Sequence, residues 1–424
     1  MSSERTAASQ IDGEAWLKLG LAGPFPIATA LSALTCALAP AYVIRWHIGP
    51  LPSTMLEASI LATIAVFAVE VYRGKHPLEW RSPFTIPAAL FLVAGAISVA
   101  VSPEQVKGLG LFRAYLVEPI AFYFVLGNVA QNAWRARLVL GGLAVGGSVA
   151  GIANAVVILN AIRHHTLNIA LPPPVVIYNT PNAVALYLVP LIGIAACMFL
   201  YDRARYVRAL SAVFLAISLS AVFLSLSRGG YLALAAMALI LAVINRYRWY
   251  LLPAVVIAGA AISRVPAIAS RLAHEFNIHD PNNTFLSRVD LWQATLRMLR
   301  DHPIFGTGMF GFARGIQPYR GGVYQENLIY PHNIVLNMWT ETGLLGLASF
   351  LWILVQAFRV SWTGWTSGPG AWRAIQLGIV LAMVAIIVHG LVDVPYFKND
   401  LALEFWTLVG LGWAGTRQSA VEVG

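Results

Sequence analysis

The sequence predicts an all-α, polytopic integral membrane protein with about 12 transmembrane helices and one long, partly helical outer loop. Three observations predict it. Hydrophobic residues make up 58% of the 424 and charged residues only 11%, whereas a soluble domain carries roughly 25% charge. Mean hydropathy is +0.70. Apolar runs of membrane-crossing length alternate with short polar turns, and the Lys and Arg residues are concentrated in alternate turns.

In chain order the apolar runs are roughly 25–44, 54–72, 83–101, 112–130, 139–160, 181–200, 209–226, 230–245, 250–263, 333–357, 374–391 and 401–415. The eighth, ninth and twelfth are short for a bilayer of ~30 Å. The expected division is 1–263 for nine N-terminal membrane helices, 264–332 for the long loop and 333–424 for three C-terminal helices. With the N-terminus inside, inner segments carry 15 Lys and Arg and short outer turns carry 6. That bias puts both termini in the cytoplasm and the long loop on the outer face. The 13 Trp and 15 Tyr suit interfacial anchoring. Net charge is +9, but it is spread over short turns and does not point to nucleic acid. Met1–Pro24 lacks the basic–apolar–small order of a cleavable leader. Cys36 and Cys197 both fall inside expected spans, so no disulfide framework or thiol–metal site follows.

The outer turns hold the residues of interest. Leu109–Pro119 brings Arg113 and Glu118 to the fourth span. A buried Glu118 requires a partner. His164 and His165 are adjacent, so they point to different sides and make a weak metal pair. Pro172–Pro174 stiffens the chain before Tyr178–Asn182 opens the sixth span. In Leu224–Leu232, LSLSRGGYL, Arg228 is the single charge between two apolar runs. Such an arginine needs pairing or solvation, and the adjacent glycines allow close approach and free backbone N–H groups for an anion.

Asn283–Arg300 reads as an amphipathic helix. Val289, Trp292, Leu296 and Leu299 form its apolar face, and Asp290, Gln293, Arg297 and Arg300 its polar face. Arg288 lies one turn before Trp292 and is therefore aimed at protein or membrane. Asp301–Phe312, DHPIFGTGMFGF, breaks that helix, and its glycines are no dinucleotide fingerprint because no strand precedes them. Tyr324 and Tyr330 suit sugar stacking or the interface. Tyr330–Leu347, YPHNIVLNMWTETGLLGL, then takes the chain from the loop into the tenth span through His332, with Gly343 and Gly346 placed for close helix packing. Glu341 lies within this span. His389 and Asp393, four apart, share a face near the end of the eleventh, where they either bond across helices or support catalysis.

Arg228, Arg288 and His332 thus share the outer face. No DxD-like cluster, HExxH, Walker loop or GxSxG accompanies them. Arginines grip phosphate oxygens bidentately, and histidine serves as a general base near neutral pH. A diphosphate leaving group held by arginines needs no metal to carry its developing charge.

LSLSRGGYLAL, RVDLWQATLRMLRDHPIFGTGMFGF and PHNIVLNMWTETGLLGL, in this order around a long outer loop, resemble the O-antigen ligase and O-antigen polymerase superfamily. LFRAYLVEP and YNTPNAVALYL fit its upstream pattern, and the core of the resemblance covers about 220–350. The resemblance implies a GT-C-like fold in the bacterial inner membrane. It also implies an inverting glycosyltransferase that works on the periplasmic face without cofactor, ATP or metal. The implied donor is an undecaprenyl-diphosphate-linked glycan, and the acceptor in the ligases is the lipid A–core oligosaccharide. His332 would be the catalytic base or would position the acceptor. Arg228 and Arg288 would hold the diphosphate, with Arg113 as a weaker candidate. His332 to Gly343 and Gly346 resembles the ligase pattern H-x10-G-x-x-G, and Arg300 to Gly311 also meets a polymerase-like R-x10-G. The reading is an O-antigen ligase. The alternatives are a polymerase, a protein O-oligosaccharyltransferase, or a transporter of an anionic lipid-linked glycan.

Overall fold

A computed structural model describes residues 23–49, 51–74, 76–168, 172–266, 268–270, 273, 277, 279, 283–321 and 328–421. Tyr324 lies outside them. Each of the twelve expected apolar runs overlaps a helix. They are α1 (Pro26–Ala37), α2 (Met55–Gly74), α3 (Thr85–Val101), α4 (Gln105–Val129), α5 (Ala133–Arg163), α6 (Pro181–Tyr201), α7 (Arg205–Ser225), α8 (Arg228–Ile244), α9 (Arg248–Ile262), α12 (Ile334–Ser367), α13 (Gly370–Gly390) and α14 (Asn399–Val421). The loop adds α10 (Thr284–Asp301) and the short α11 (Phe312–Gly315). Seven of these helices are long and apolar enough to cross a membrane, and α1, α3, α8 and α9 are shorter apolar helices. The chain is a mostly helical, multi-pass membrane protein.

The first run is not one helix. Pro40 lacks an N–H, and the chain tightens into a 3-10 turn at Ala39–Val43. It then forms an antiparallel hairpin of β1 (Arg45–Ile48) and β2 (Leu51–Thr54), which the hydropathy pattern alone does not reveal. In α4 the segment Arg113–Val117 widens into a π-helix.

One apolar core runs through the bundle. α13 packs on α6, α8 and α12, while α14 packs on α4 and α12. Large aromatics fill the centre. Trp406, Trp413, Tyr187, Tyr396, Phe122 and Phe405 are fully buried. Gly127 permits the closest of these approaches, because a Cβ there would collide with the Trp413 ring. Cys36 and Cys197 are free and buried.

α12 is broken in its third turn. Gly343 has φ 68°, a left-handed conformation that interrupts the helical ladder. The turn at Pro303–Gly308 fills the gap. Leu344 donates its N–H to the Ile304 carbonyl at 2.9 Å, and Thr307 donates to the Thr340 carbonyl at 2.8 Å. The Trp339 indole donates to the Pro303 carbonyl at 2.7 Å. A Cβ at Gly343 would stand 2.5 Å from the Ile304 oxygen. The role of Glu341 also becomes clear. Its buried carboxylate accepts the Phe310 N–H at 2.5 Å. The side chain of Ser98 on α3 donates to its carbonyl. Expected to serve helix–helix packing, Gly343 serves this junction instead, while Gly346 does lie against Ala94 of α3.

Candidate active site

His332 precedes α12 in a left-handed conformation, φ 51°. The neighbouring residues hold it there. Asn333 caps α12 by accepting the N–H groups of Val335 and Leu336 at 3.0 and 3.1 Å. Its amide donates to the Leu391 carbonyl, just past α13, at 3.1 Å. Gly390 lets α13 close on the start of α12, since a Cβ there would lie 2.7 Å from Ile334. The Trp292 indole of α10 donates to the Pro331 carbonyl at 3.0 Å. The loop helix is therefore fastened to the residue before His332.

These ties bring His332 to Asp393. Nδ1 of His332 lies 3.3 Å from Oδ1 of Asp393. The carboxylate also accepts the Val394 N–H at 2.9 Å and the Asn182 amide at 3.1 Å. Burial opposes its ionisation, but the His332 hydrogen bond and the nearby charges of His332, His389 and Arg288 outweigh that and hold the carboxyl well below its usual range. An ionised carboxylate only accepts, so in the neutral imidazole Nδ1 of His332 carries the proton and Nε2 the lone pair. The His332 side chain remains 25% exposed, against 4% for Asp393, so a substrate can reach it.

Arg288 comes to the same place. It sits one turn before Trp292, near Asp393 and Tyr330. Burial lowers its pKa, and both neighbours act in the opposite direction. Burial likewise pushes the Tyr330 phenol up. The Tyr330 ring meets His332 edge-on at 4.8 Å between centroids. The apolar stripe of α10 is rotated from the expected one. Leu291, Ala294, Thr295, Met298 and Leu299 are buried, whereas Leu296 is 43% exposed. Arg297 and Arg300 are solvent-facing, as expected of the polar side.

Arg228 opens α8 and is half-buried. Its turn is drawn to the site, because a Cβ at Gly229 would lie 2.6 Å from the His389 ring. Gly230 packs on Ala185 and donates its N–H to the Ser227 hydroxyl at 3.2 Å. The two glycines thus serve close helix packing, and the Gly230 N–H is not available to an anion.

Arg113 stands in a different group. It binds Glu57 at 2.5 Å, Glu118 at 3.1 Å and the Pro52 carbonyl of the hairpin at 2.7 Å. Glu118 thereby has the partner that its burial requires. Asn399 donates to Glu57 at 2.7 Å and connects this group to the segment carrying Asp393. Helical spacing in the sequence sets His389 and Asp393 on one face, but α13 ends at Gly390, so Asp393 lies past the helix and its hydrogen bond goes to His332 instead. That bond is not visible in the sequence, because 61 residues separate the two. Among the described residues no three His, Cys, Asp or Glu side chains gather to hold a metal.

Residues 213–351 match the family model described as O-antigen ligase. The match begins in α7, spans Arg228, α10 and the turn at Pro303–Gly308, and ends in α12. It bears out the resemblance to the O-antigen ligase and polymerase superfamily over the stretch that carries Arg228, Arg288 and His332. No curated protein matches the chain.

Proposed function

We propose that the protein is an O-antigen ligase. It transfers a glycan from undecaprenyl diphosphate to a hydroxyl of the lipid A–core oligosaccharide at the periplasmic face of the inner membrane. The observation that carries this reading is the His332–Asp393 pair beside Arg288, in the stretch with the family match. Asp393 fixes the tautomer, so Nε2 takes the acceptor hydroxyl proton as the new bond to the anomeric carbon forms. The bond from that carbon to the diphosphate oxygen breaks on the opposite face, and the configuration inverts. Arg288 and Arg228 take up the charge that grows on the departing diphosphate. This step calls for neither ATP nor a metal. Arg113 is already balanced by Glu57 and Glu118, so it supports the outer surface rather than the donor.

The test is a transfer assay with purified protein, undecaprenyl-diphosphate glycan and lipid A–core, with EDTA and without ATP. Glycan on lipid A–core is the expected product. Longer chains that remain on undecaprenyl diphosphate would mean a polymerase. No product with either acceptor would move the reading to a protein acceptor or a transporter.

A further inference from the structure

The opposite end of the bundle carries a second site, independent of the reaction proposed above. A cavity of about 130 Å³ lies between α5, α6 and α7. Arg137, Met198 and Tyr206 form one ring of its lining, and Gly141, Ile194 and Leu210 the next. Within each helix the two lining residues are four apart, so the slot runs along the helix axes. A Cβ at Gly141 would meet no atom within 4 Å, so the missing side chain leaves a real gap. Leu210, 66% exposed, opens the slot toward the bilayer.

Positive charge is concentrated at the ring of Arg137. That guanidinium reaches Asp202 through Nε at 2.9 Å and Nη2 at 3.2 Å, which leaves Nη1 outside the pair. Arg203, Arg205 and Arg208 follow within six residues, all exposed, with no further acid before Leu210. Arg137 alone pairs with Asp202, the Arg208 Nε donates to the Phe199 carbonyl at 2.9 Å, and four arginines thus share this end of the helices with one acid between 202 and 210. Basic loops alone would orient the helices. Here they crown an apolar slot of about one helical turn, and that combination matches an anionic lipid.

We propose that this slot binds an anionic phospholipid from the leaflet at the basic ends of these helices. One acyl chain lies along Gly141 and Leu210, and the phosphate sits against Arg137 and Arg205. Arginine suits this role because it binds phosphate oxygens in a planar fork. A zwitterionic lipid brings its own ammonium into the same positive field and binds less well.

Native mass spectrometry of the full-length protein in detergent tests this, with dioleoyl phosphatidylglycerol and dioleoyl phosphatidylcholine as the probes. We expect one retained phosphatidylglycerol, preferred at least about tenfold, or roughly 1.4 kcal/mol. Gly141→Leu fills the gap and should abolish the retained lipid without altering charge. The double variant Arg205→Gln, Arg208→Gln should erase the preference between the two lipids. Equal retention of both by the unmodified protein would overturn the proposal. So would phosphatidylglycerol retention that survives Gly141→Leu, or a preference that survives the double arginine variant.

Discussion

At the scale of single residues, the proposed reaction depends on how His332 is held. His332→Ala should lower transfer by about 10²- to 10⁴-fold, the usual contribution of a general base, while the protein still elutes as a folded species. Unchanged transfer would remove the assigned role. Asp393→Asn should fall between that variant and wild type, because Nε2 remains but its tautomer is no longer fixed. The same carboxylate makes a prediction about pH. Its folded-state pKa is depressed, so the stability it contributes is present above its unfolded value of about 3.9 and is lost as pH falls through the lower folded value. The difference in thermal stability between wild type and Asp393→Asn should not shrink between neutral pH and about pH 5, and should fall only in stronger acid. A difference that fades between about pH 7 and 5 would contradict the assignment. Arg288→Lys should not restore function, because an ammonium cannot reproduce the bidentate fork.

At the scale of elements, hydropathy and charge reveal which segments are helices and leave their interruptions hidden. His332 and Arg288 stand out because a charge beside an apolar helix is costly without a purpose. Asp393 is conspicuous for the same reason, yet its partner lies 61 residues away, and local spacing carries no trace of that contact. The hairpin at Arg45–Thr54 escapes a hydropathy reading because it falls in the short turn between the first two apolar runs, where hydropathy marks no element. The break at Gly343 escapes it because the turn that fills the gap comes from a distant part of the chain. Two substitutions test that junction. Gly343→Ala must adopt φ 68° and set a Cβ against the Ile304 carbonyl, so a loss of at least about 1–3 kcal/mol is expected. Glu341→Ala leaves the Phe310 N–H without its acceptor and should cost about 1–3 kcal/mol, whereas Glu341→Gln keeps an oxygen there and should recover most of it. Equal thermal stability of Glu341→Ala and wild type would show that the bond contributes little.

Over the whole molecule, alternate turns fall at opposite ends of one bundle. The Arg137–Asp202 pair joins α5 and α6 at one end, and the His332–Asp393 pair joins the loop to α13 at the other. Because both native cysteines are buried, the wild-type protein is a quiet background for labelling. A cysteine at His164 should react with a membrane-impermeant maleimide added to the outer face, and one at Arg246 should not. Equal labelling at both would overturn the orientation drawn from Lys and Arg.

The wedge between Pro303–Gly308 and the broken helix also constrains how this protein could be recombined. Ile304 and Thr307 meet backbone atoms at Leu344 and Thr340, and the fit depends on two glycines with left-handed backbones, Gly306 and Gly343. A chimera that imports the long loop of a relative without residues 340–344 would cut a mortise from its tenon. Loop and helix are interchangeable only as a pair, with the crossover placed after Gly346.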